Sequence, residues 1–185
     1  MASSAVYRYF ASRDELLTAL IIDAYDALGT AAEDAARRSR RRAPVKRWGA
    51  VASAMRTWAL TNPHEYALLY GSPVPGYRAP EETTAPGTRA SLALLSIVRD
   101  AAAVRELVPP SSVHAPGPLA RELPRLRREV DLDIDDAALL ATLLAWTQLF
   151  GLLSFEVFGQ TRGLVTDHEA LFDAASASMA TGIGL

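Results

Sequence analysis

Residues 3–17 read SSAVYRYFASRDELL, and they hold the first clear helix signal of the chain. Ser12 can cap the free backbone N–H groups at a helix start, and Glu15, three residues later, can reach back to the cap. Beyond Glu15, apolar residues recur three or four positions apart and form one stripe along a helix. The stripe consists of Leu17, Leu20, Ile21, Ala24, Leu28, Ala31 and Ala35. A long amphipathic helix is therefore predicted to begin at Ser12.

Helical spacing of apolar residues continues through the rest of the chain, and no run alternates as a half-buried strand does. Pro44 fits the first turn of a second helix. Asn62 is expected to cap a third, with Pro63 at its first position. Further helices are predicted over 88–107, 119–130, 134–158 and 167–181, between proline-rich breaks at 71–87 and 109–118. The sequence therefore predicts an all-α protein.

Short polar side chains mark the starts of the last two helices. Asp133 or Asp135 is expected to cap the first of them, and Thr166 and Glu169 have the spacing of a second capping box. Residues 37–42 hold five arginines where the first helix should end, and cations favour that end of the helix dipole. We expect a solvated helix end there, with contact to acidic neighbours or a polyanion as alternatives.

The composition indicates one globular unit. The chain has 185 residues, 50% of them hydrophobic and 22% charged, and its formal net charge is -2. Such a total offers nucleic acid no general attraction, so DNA contact would need a local basic surface. Cysteine is absent, which excludes disulfides and thiolate sites, and the amino terminus has no signal-peptide pattern. We therefore expect a cytoplasmic protein.

Residues 137–155 contain no charged side chain, and the run approaches the length of a membrane span. Polar residues such as Thr142 and Gln148 interrupt it, and carboxylates rather than cations flank it. Because the run is apolar around most of its circumference, we expect burial by its own domain on one side and by a partner subunit on another. A fully internal helix in a monomer is the alternative, and no membrane contact is predicted.

The sequence shows no catalytic or metal-binding constellation. His64, His114 and His168 lie far apart, and none has a paired acid at a recognisable spacing. The acidic residues of 131–136 lack the central glycine and closing glutamate of a calcium loop. We therefore expect no enzyme, with no catalytic residue, no metal and no cofactor.

Residues 3–17 resemble the end of the DNA-binding domain of the TetR family. In that family a Tyr-x-x-Phe pattern closes the recognition helix, and Tyr7 and Phe10 fit it. A Ser-Lys-x-x-Leu pattern then opens the helix that links to the ligand domain. Ser12 and Leu16 fit this second pattern, with an arginine in place of the lysine.

Residues 62–80 resemble one actinobacterial-type subgroup of these regulators, whose C-terminal domain has a Trp-His-Gly signature. Trp146 and Gly151 match the signature, whereas Phe150 stands where the histidine would be. The resemblance implies a ligand-responsive DNA-binding regulator, a repressor released from its operator by a small apolar or aromatic effector. It also implies a partial helix-turn-helix, consisting of the recognition helix alone, followed by a helical ligand-binding and dimerisation domain.

The expected division is a remnant of the DNA-binding domain over 1–42 and the ligand-binding and dimerisation domain over 43–185. Met1 falls where the turn before the recognition helix is expected, so we expect a truncated chain that needs two earlier helices to bind operator DNA. The resemblance places six residues at base edges or phosphates: Ser3, Ser4, Ala5, Tyr7, Tyr9 and Arg13. The alternative is a truncated dimeric ligand-binding module without operator binding.

Two further sites are expected in the larger domain. A small effector could bind among aromatic side chains, although these could equally be plain core. The candidate pocket residues are Met55, Trp58, Tyr66 and Tyr70. The resemblance implies a homodimer that pairs the last two helices of each subunit as a four-helix bundle. The candidate interface residues are Leu144, Ala145, Gln148, Gly151, Leu152, Phe155, Phe172, Ala175 and Met179.

Overall fold

The computed structural model describes residues 9–108 and 113–185, and the regular structure within these ranges is helical, without a strand. The α-helices of this part of the chain are α1 (Arg13–Arg38), α2 (Pro44–Thr61), α3 (Pro63–Tyr70), α4 (Thr84–Ala103), α5 (Gly117–Ala120), α6 (Leu123–Glu129), α7 (Asp136–Val157) and α8 (His168–Ile183). A short 3₁₀ turn, Glu81–Thr83, leads into α4. The predicted all-α fold is confirmed.

Two side chains close the start of α1. The Ser12 Oγ accepts a hydrogen bond from the Glu15 N–H at 3.1 Å, as predicted, and satisfies a group that a helix start leaves free. The Glu15 carboxylate reaches one residue further back than expected and accepts from the Ala11 N–H at 2.6 Å. The cap therefore fixes the beginning of α1 at Arg13.

The core is built mainly from α1, α2, α4, α7 and α8. In it, α1 packs against α4 and α2, while α7 packs against α8. The largest of its fully buried side chains are Trp48 on α2, Tyr66 on α3 and Phe172 on α8. The stripe predicted along α1 is largely buried: Ile21, Ala24, Leu28 and Ala35 are buried, Leu17 and Ala31 are partly buried, and Leu20 is exposed. Helix α1 therefore shares one core with α2 and α4, which lie on the other side of the predicted domain boundary at residue 42. That boundary stays a prediction.

The bounds predicted for α4 are wrong at both ends, because it spans Thr84–Ala103 rather than 88–107. Pro86 lies in its first turn, where N–H groups have no helical partner and a proline is tolerated. At the other end Arg105 adopts a left-handed conformation with φ of 58°, which stops the helix.

The cap predicted for α8 is also wrong. The Asp167 carboxylate accepts from the Ala170 N–H at 2.8 Å, so Asp167 and not Thr166 is the cap. The start of α7 agrees with one of the two alternatives, since Asp135 accepts from the Ala138 N–H at 2.7 Å. An aspartate carboxylate therefore caps the start of both α7 and α8.

Two further corrections concern short helices. The Asn62 amide donates to the Trp58 carbonyl at 3.0 Å, so its side chain closes the end of α2 and does not cap α3. The single helix predicted over 119–130 is divided into α5 and α6. Pro124 explains the division, because a proline is accommodated in the first turn of a helix and not in its interior.

The arginine run at 37–42 is a solvated helix end, as expected. Its arginines are exposed, and Arg37 and Arg38 both pair with Asp34 one turn earlier. Ser39 is buried among them and donates to the Ala35 carbonyl at 2.7 Å.

Within the described residues, α7 is the one helix long and apolar enough for a membrane span, by length and composition. It lies inside a bundle, in contact with α8, α2, α6 and α4. Ala145, Leu149 and Leu153 place one of its sides in the shared core. The core helix of a globular domain passes the same test of length and composition.

Candidate functional site

An apolar cavity of about 160 Å³ lies between α2, α4, α6 and α7. Its floor consists of four buried residues: Trp48, Leu94, Leu139 and Thr142. Its rim consists of six residues that are at least partly exposed: Ser91, Leu95, Leu126, Val130, Leu143 and Trp146. The cavity thus reaches from the core to the surface of the bundle.

The accessible wall of this cavity is entirely apolar, although two hydroxyl groups belong to its lining residues. The Thr142 Oγ1 donates to the Ala138 carbonyl at 2.7 Å within α7. The Ser91 Oγ accepts from the Trp146 Nε1–H at 2.9 Å, a bond that joins α4 to α7 across the rim. Both hydroxyls are therefore engaged by the protein, whereas the Trp48 Nε1–H is buried without a hydrogen-bond partner and exposes no surface to the cavity.

No ionisable side chain is among the lining residues, and nearby arginines are engaged elsewhere. Arg47, next to Trp48, forms an ion pair with Asp100 at 2.6 Å. Arg99 donates to the carbonyls of Val130 and Asp131 at 3.0 and 3.1 Å. A charged ligand would therefore find no counter-charge in the wall.

The methionine and the three aromatic residues predicted to form a pocket lie outside the apolar cavity. Met55, Trp58 and Tyr66 are buried in the core, and Tyr70 packs against it. The Tyr66 hydroxyl donates to the Phe150 carbonyl at 3.2 Å and lies 2.9 Å from the Ser154 Oγ. None of the four lines the apolar cavity, so their role in ligand binding stays a prediction.

Tyr70 lies at the centre of an aromatic cluster that extends to the cavity. Its ring centroid is 5.0 Å from that of Tyr66, 6.2 Å from Tyr25 and 4.8 Å from Phe150. Phe150 in turn lies 5.6 Å from Trp146 on the cavity rim. Burial raises the pKa of Tyr70, Tyr66 and Tyr25, so these phenols stay neutral.

A second, wider pocket of about 460 Å³ lies between α1, α3 and the segment that leads into α4. Ile21 and Tyr25 of α1 line it together with Tyr77. The Tyr77 hydroxyl lies 2.9 Å from the Thr18 Oγ1, which joins the proline-rich break to α1. Its wall is both polar and apolar, in contrast to that of the cavity.

An ion cluster fastens α4 to α1. The Arg89 guanidinium binds Asp26 at 2.5 Å and Glu33 at 2.7 Å, and it also donates to Thr30 at 3.2 Å. The two helices are close here, because a Cβ added at Gly29 would lie 2.7 Å from the Arg89 Cβ. Hydrogen bonding to Arg89 lowers the pKa of Glu33, and the two acids raise that of Arg89. Ser91, two residues along α4, lines the cavity.

The exposed face of α7 lies on the side away from the cavity. It contains Leu144, Gln148, Gly151 and Phe155, and the two apolar side chains are 53% and 58% exposed. Trp146, two positions from Leu144, points about 200° around the helix from it. We call these four residues the uncovered face of α7.

The structure divides the predicted interface residues between this face and the core. Ala145, Phe172 and Met179 are buried within the chain's own core. Leu152 and Ala175 are partly buried. The exposed positions of α8 carry mostly small or polar residues, including Ala170, Asp173, Ala174, Ala177, Ser178 and Thr181. Nothing in the described chain covers either surface.

The residues predicted to contact DNA are only partly within the described ranges. Ser3, Ser4, Ala5 and Tyr7 lie outside them. Tyr9 is 84% exposed, and Arg13 is exposed at the amino end of α1. Helix amino termini attract phosphate groups, so the position of Arg13 suits the expected contact.

The cavity residues were missed by sequence reasoning, although a signal for them exists. Ser91, Leu94 and Leu95 on α4 face the cavity at helical spacing, as do Leu139, Thr142, Leu143 and Trp146 on α7. This second apolar stripe on each helix could have been read as the wall of a cavity. In the described ranges no three potential metal ligands are grouped together.

Comparison with known proteins decides the family. Residues 48–179 match the family model described as the tetracyclin repressor-like C-terminal domain. HTH-type transcriptional regulators of Mycobacterium bovis and Mycobacterium tuberculosis are 41% identical over 180 residues, which is 94% of this chain and 75% of theirs. The chain belongs to the TetR family. It is a transcriptional regulator and not an enzyme, and its similarity to HTH-type regulators supports DNA binding.

Solved structures agree with this TetR-family assignment. The crystal structure of the regulatory protein SCO4313 has a TM-score of 0.71 and 34% identity, covering 97% of this chain and 79% of that one. A protein of unknown function from Rhodococcus sp. RHA1, at 22% identity and a TM-score of 0.68, shares the fold over 100% of this chain and 80% of its own. The region matched to the family model contains every residue that lines the apolar cavity.

Proposed function

We propose that this TetR-family regulator is a cytoplasmic repressor that a small apolar or aromatic effector releases from its operator. The observation that carries the proposal is the apolar cavity between α2, α4, α6 and α7. Concave apolar sites between helices are where small molecules bind in helical bundles. The DNA contacts would come from residues 1–13, including Tyr9 and Arg13. In this proposal residues 1–42 belong to the DNA-binding part of the chain, and residues 43–185 form the ligand-binding and dimerisation domain.

The contacts of α4 suggest how the effector would act on DNA binding. Ser91, Leu94 and Leu95 on one side of α4 line the cavity. Arg89, on the side toward α1, binds Asp26 and Glu33. A ligand that moves α4 would therefore also move α1, whose amino end is joined to the DNA-contacting segment. Effector binding and DNA binding would then each favour a different position of α1, and this links the two affinities.

The repressor is proposed to act as a homodimer through α7 and α8. The uncovered face of α7 carries two exposed large apolar side chains, Leu144 and Phe155, which a second subunit would bury. The small residues of α8 permit close helix approach beside it. Two copies of α7 and α8 would form a four-helix bundle and hold two DNA-reading segments for the two halves of a symmetric operator.

A reporter gene behind the promoter of the regulator's own gene tests the repressor role. Cells that contain the protein should show lower reporter output than cells without it, and an apolar aromatic compound should restore the output. Equal output in both strains would contradict repression, and higher output with the protein would indicate activation.

A further inference from the structure

We infer that the apolar cavity binds a neutral hydrocarbon the size of one aromatic ring, and that Trp146 is the side chain that admits it. The inference rests on the proposed function, in which this cavity is the effector site. It adds the size and charge of the ligand and the residue at the entrance.

The volume of the cavity sets the size of the ligand. At about 160 Å³ it is close to an engineered apolar cavity of about 150 Å³ that stays dry and binds benzene. Like that cavity, its walls are mainly aliphatic and aromatic, with Leu94, Leu139 and Leu143 facing inward. A ligand of one ring fills the space, whereas two fused rings would have to displace the walls.

The chemistry of the wall sets the charge of the ligand. The hydroxyls of Thr142 and Ser91 are engaged within the protein, and no ionisable side chain lines the cavity. A carboxylate or ammonium group would lose its water without gaining a partner, which is strongly unfavourable. The Trp48 Nε1–H has no hydrogen-bond partner but exposes no surface to the cavity, so a phenolic hydroxyl would also lose its hydrogen bonds to water. Toluene therefore fits the wall better than phenol or benzoate.

Trp146 stands at the entrance. Its indole lines the cavity and is 37% exposed, so it lies between the interior and the solvent. One exposed hydrogen bond, from its Nε1–H to the Ser91 Oγ at 2.9 Å, holds it to α4. Water can replace that bond when the ring swings outward, so opening requires no rearrangement of the buried floor.

Calorimetric titration of the whole protein with toluene, phenol and benzoate tests the ligand class. Toluene should bind at least tenfold more tightly than phenol, and benzoate should give no heat of binding. Benzoate or phenol binding as tightly as toluene would overturn the inference.

Two substitutions test the position of the ligand. Leu95→Phe puts a larger ring into the cavity and should weaken toluene binding at least tenfold, while Leu92→Phe, exposed on the same helix, should leave it unchanged. Leu143→Ala enlarges the cavity and should admit naphthalene, which the unsubstituted protein excludes. Equal binding of toluene by the Leu95 and Leu92 variants, or no gain by Leu143→Ala, would place the ligand elsewhere.

The entrance is tested by exchange rates, measured from the fluorine NMR line shape of 4-fluorotoluene. Trp146→Phe and Ser91→Ala each remove the same hydrogen bond from opposite sides, so each should speed exchange several-fold. The double variant should be no faster than either single variant, because the two changes remove one interaction. Unchanged rates, or fully additive effects, would contradict an entrance at Trp146.

The reporter separates this inference from the proposed function. Toluene that binds in the calorimeter without raising reporter output would overturn the proposed effector function and leave the ligand class standing. Derepression by a charged or two-ring compound, lost in the Leu95→Phe variant, would overturn the ligand class and leave the effector function standing.

Discussion

Arg56 on α2 and Glu156 on α7 form a two-fold hydrogen-bonded ion pair, with N–O distances of 2.8 and 2.6 Å. Their side chains are only 17% and 12% exposed, and the Arg56 guanidinium also lies 5.3 Å from the centre of the Phe172 ring. Hydrogen bonding to Glu156 raises the pKa of Arg56, so the arginine stays charged. The pair therefore joins α2, α7 and α8 at one point.

Glu156→Gln should lower the free energy of unfolding by about 3 kcal/mol, because it removes the carboxylate that pairs with the largely buried Arg56 charge. Urea denaturation measures the loss. The matched control is Glu129→Gln in the exposed pair Arg125–Glu129, which should cost less than about 0.5 kcal/mol. Similar losses in both variants would contradict a special role for the buried pair.

Tyr66→Phe should lower the free energy of unfolding by about 1 kcal/mol, because the Ser154 hydroxyl and the Phe150 carbonyl lose their shared partner. The ring stays, so its packing against Tyr70 is preserved. Thermal unfolding followed by circular dichroism checks the change. The exposed Tyr9 offers a control, since Tyr9→Phe should leave the melting temperature unaltered.

Acid should weaken the attachment of α4 to α1. The pKa of Glu33 is lowered from its ordinary value of 4.5, chiefly by the hydrogen bond from Arg89. The folded state therefore binds the proton less tightly than the unfolded state, and Glu33 contributes stability above pH 4.5. That contribution is lost as the pH falls through the lowered pKa.

Arg89→Gln should remove part of this acid dependence by restoring the Glu33 pKa toward its ordinary value. Urea midpoints measured between pH 3 and pH 7 should fall less steeply with acid in the variant than in the unsubstituted protein. Because the pair is partly exposed, high salt should produce a similar flattening. Parallel pH profiles would show that the cluster contributes nothing to acid sensitivity.

The proposed homodimer predicts that Phe155→Arg yields a monomer, because an unpaired charge would be buried where two α7 helices meet. Sedimentation velocity at micromolar concentration measures the mass. Leu92→Arg is the control, since Leu92 is also exposed but lies on α4 on the side toward α1. A monomeric unsubstituted protein would contradict the proposal, as would an unaltered dimer in the Phe155 variant.

Caps and apolar stripes predicted the helices well, because both depend on residues that are close together in the sequence. The Ser12 cap and the apolar stripe of α1 were predictable for that reason. The start of α8 was predicted one residue early, since Thr166 and Asp167 both have capping side chains and only the fold selects between them. The start of α4 was predicted at residue 88 rather than Thr84, because a proline such as Pro86 reads as a break wherever it occurs.

The cavity and the uncovered face were harder to predict, because α7 is apolar on almost every side. Periodicity shows which residues share a side of a helix, but not what each side contacts. Ala145, Phe172 and Met179 were assigned to a partner from the apolar character of α7 and from the family resemblance, yet they face their own chain. The cavity is a gap between four helices, and its size depends on distances that no single helix encodes.

Helix α7 connects the apolar cavity with the uncovered face. Leu139 and Trp146 face the cavity while Leu144 and Phe155 form the uncovered face, and all four belong to one continuous helix. A rigid helix moves as a unit, so a ring that enters the cavity of one subunit also shifts the surface that meets the other. In the proposed dimer the two cavities would therefore fill cooperatively, and the ligand titration would depart from a simple hyperbola.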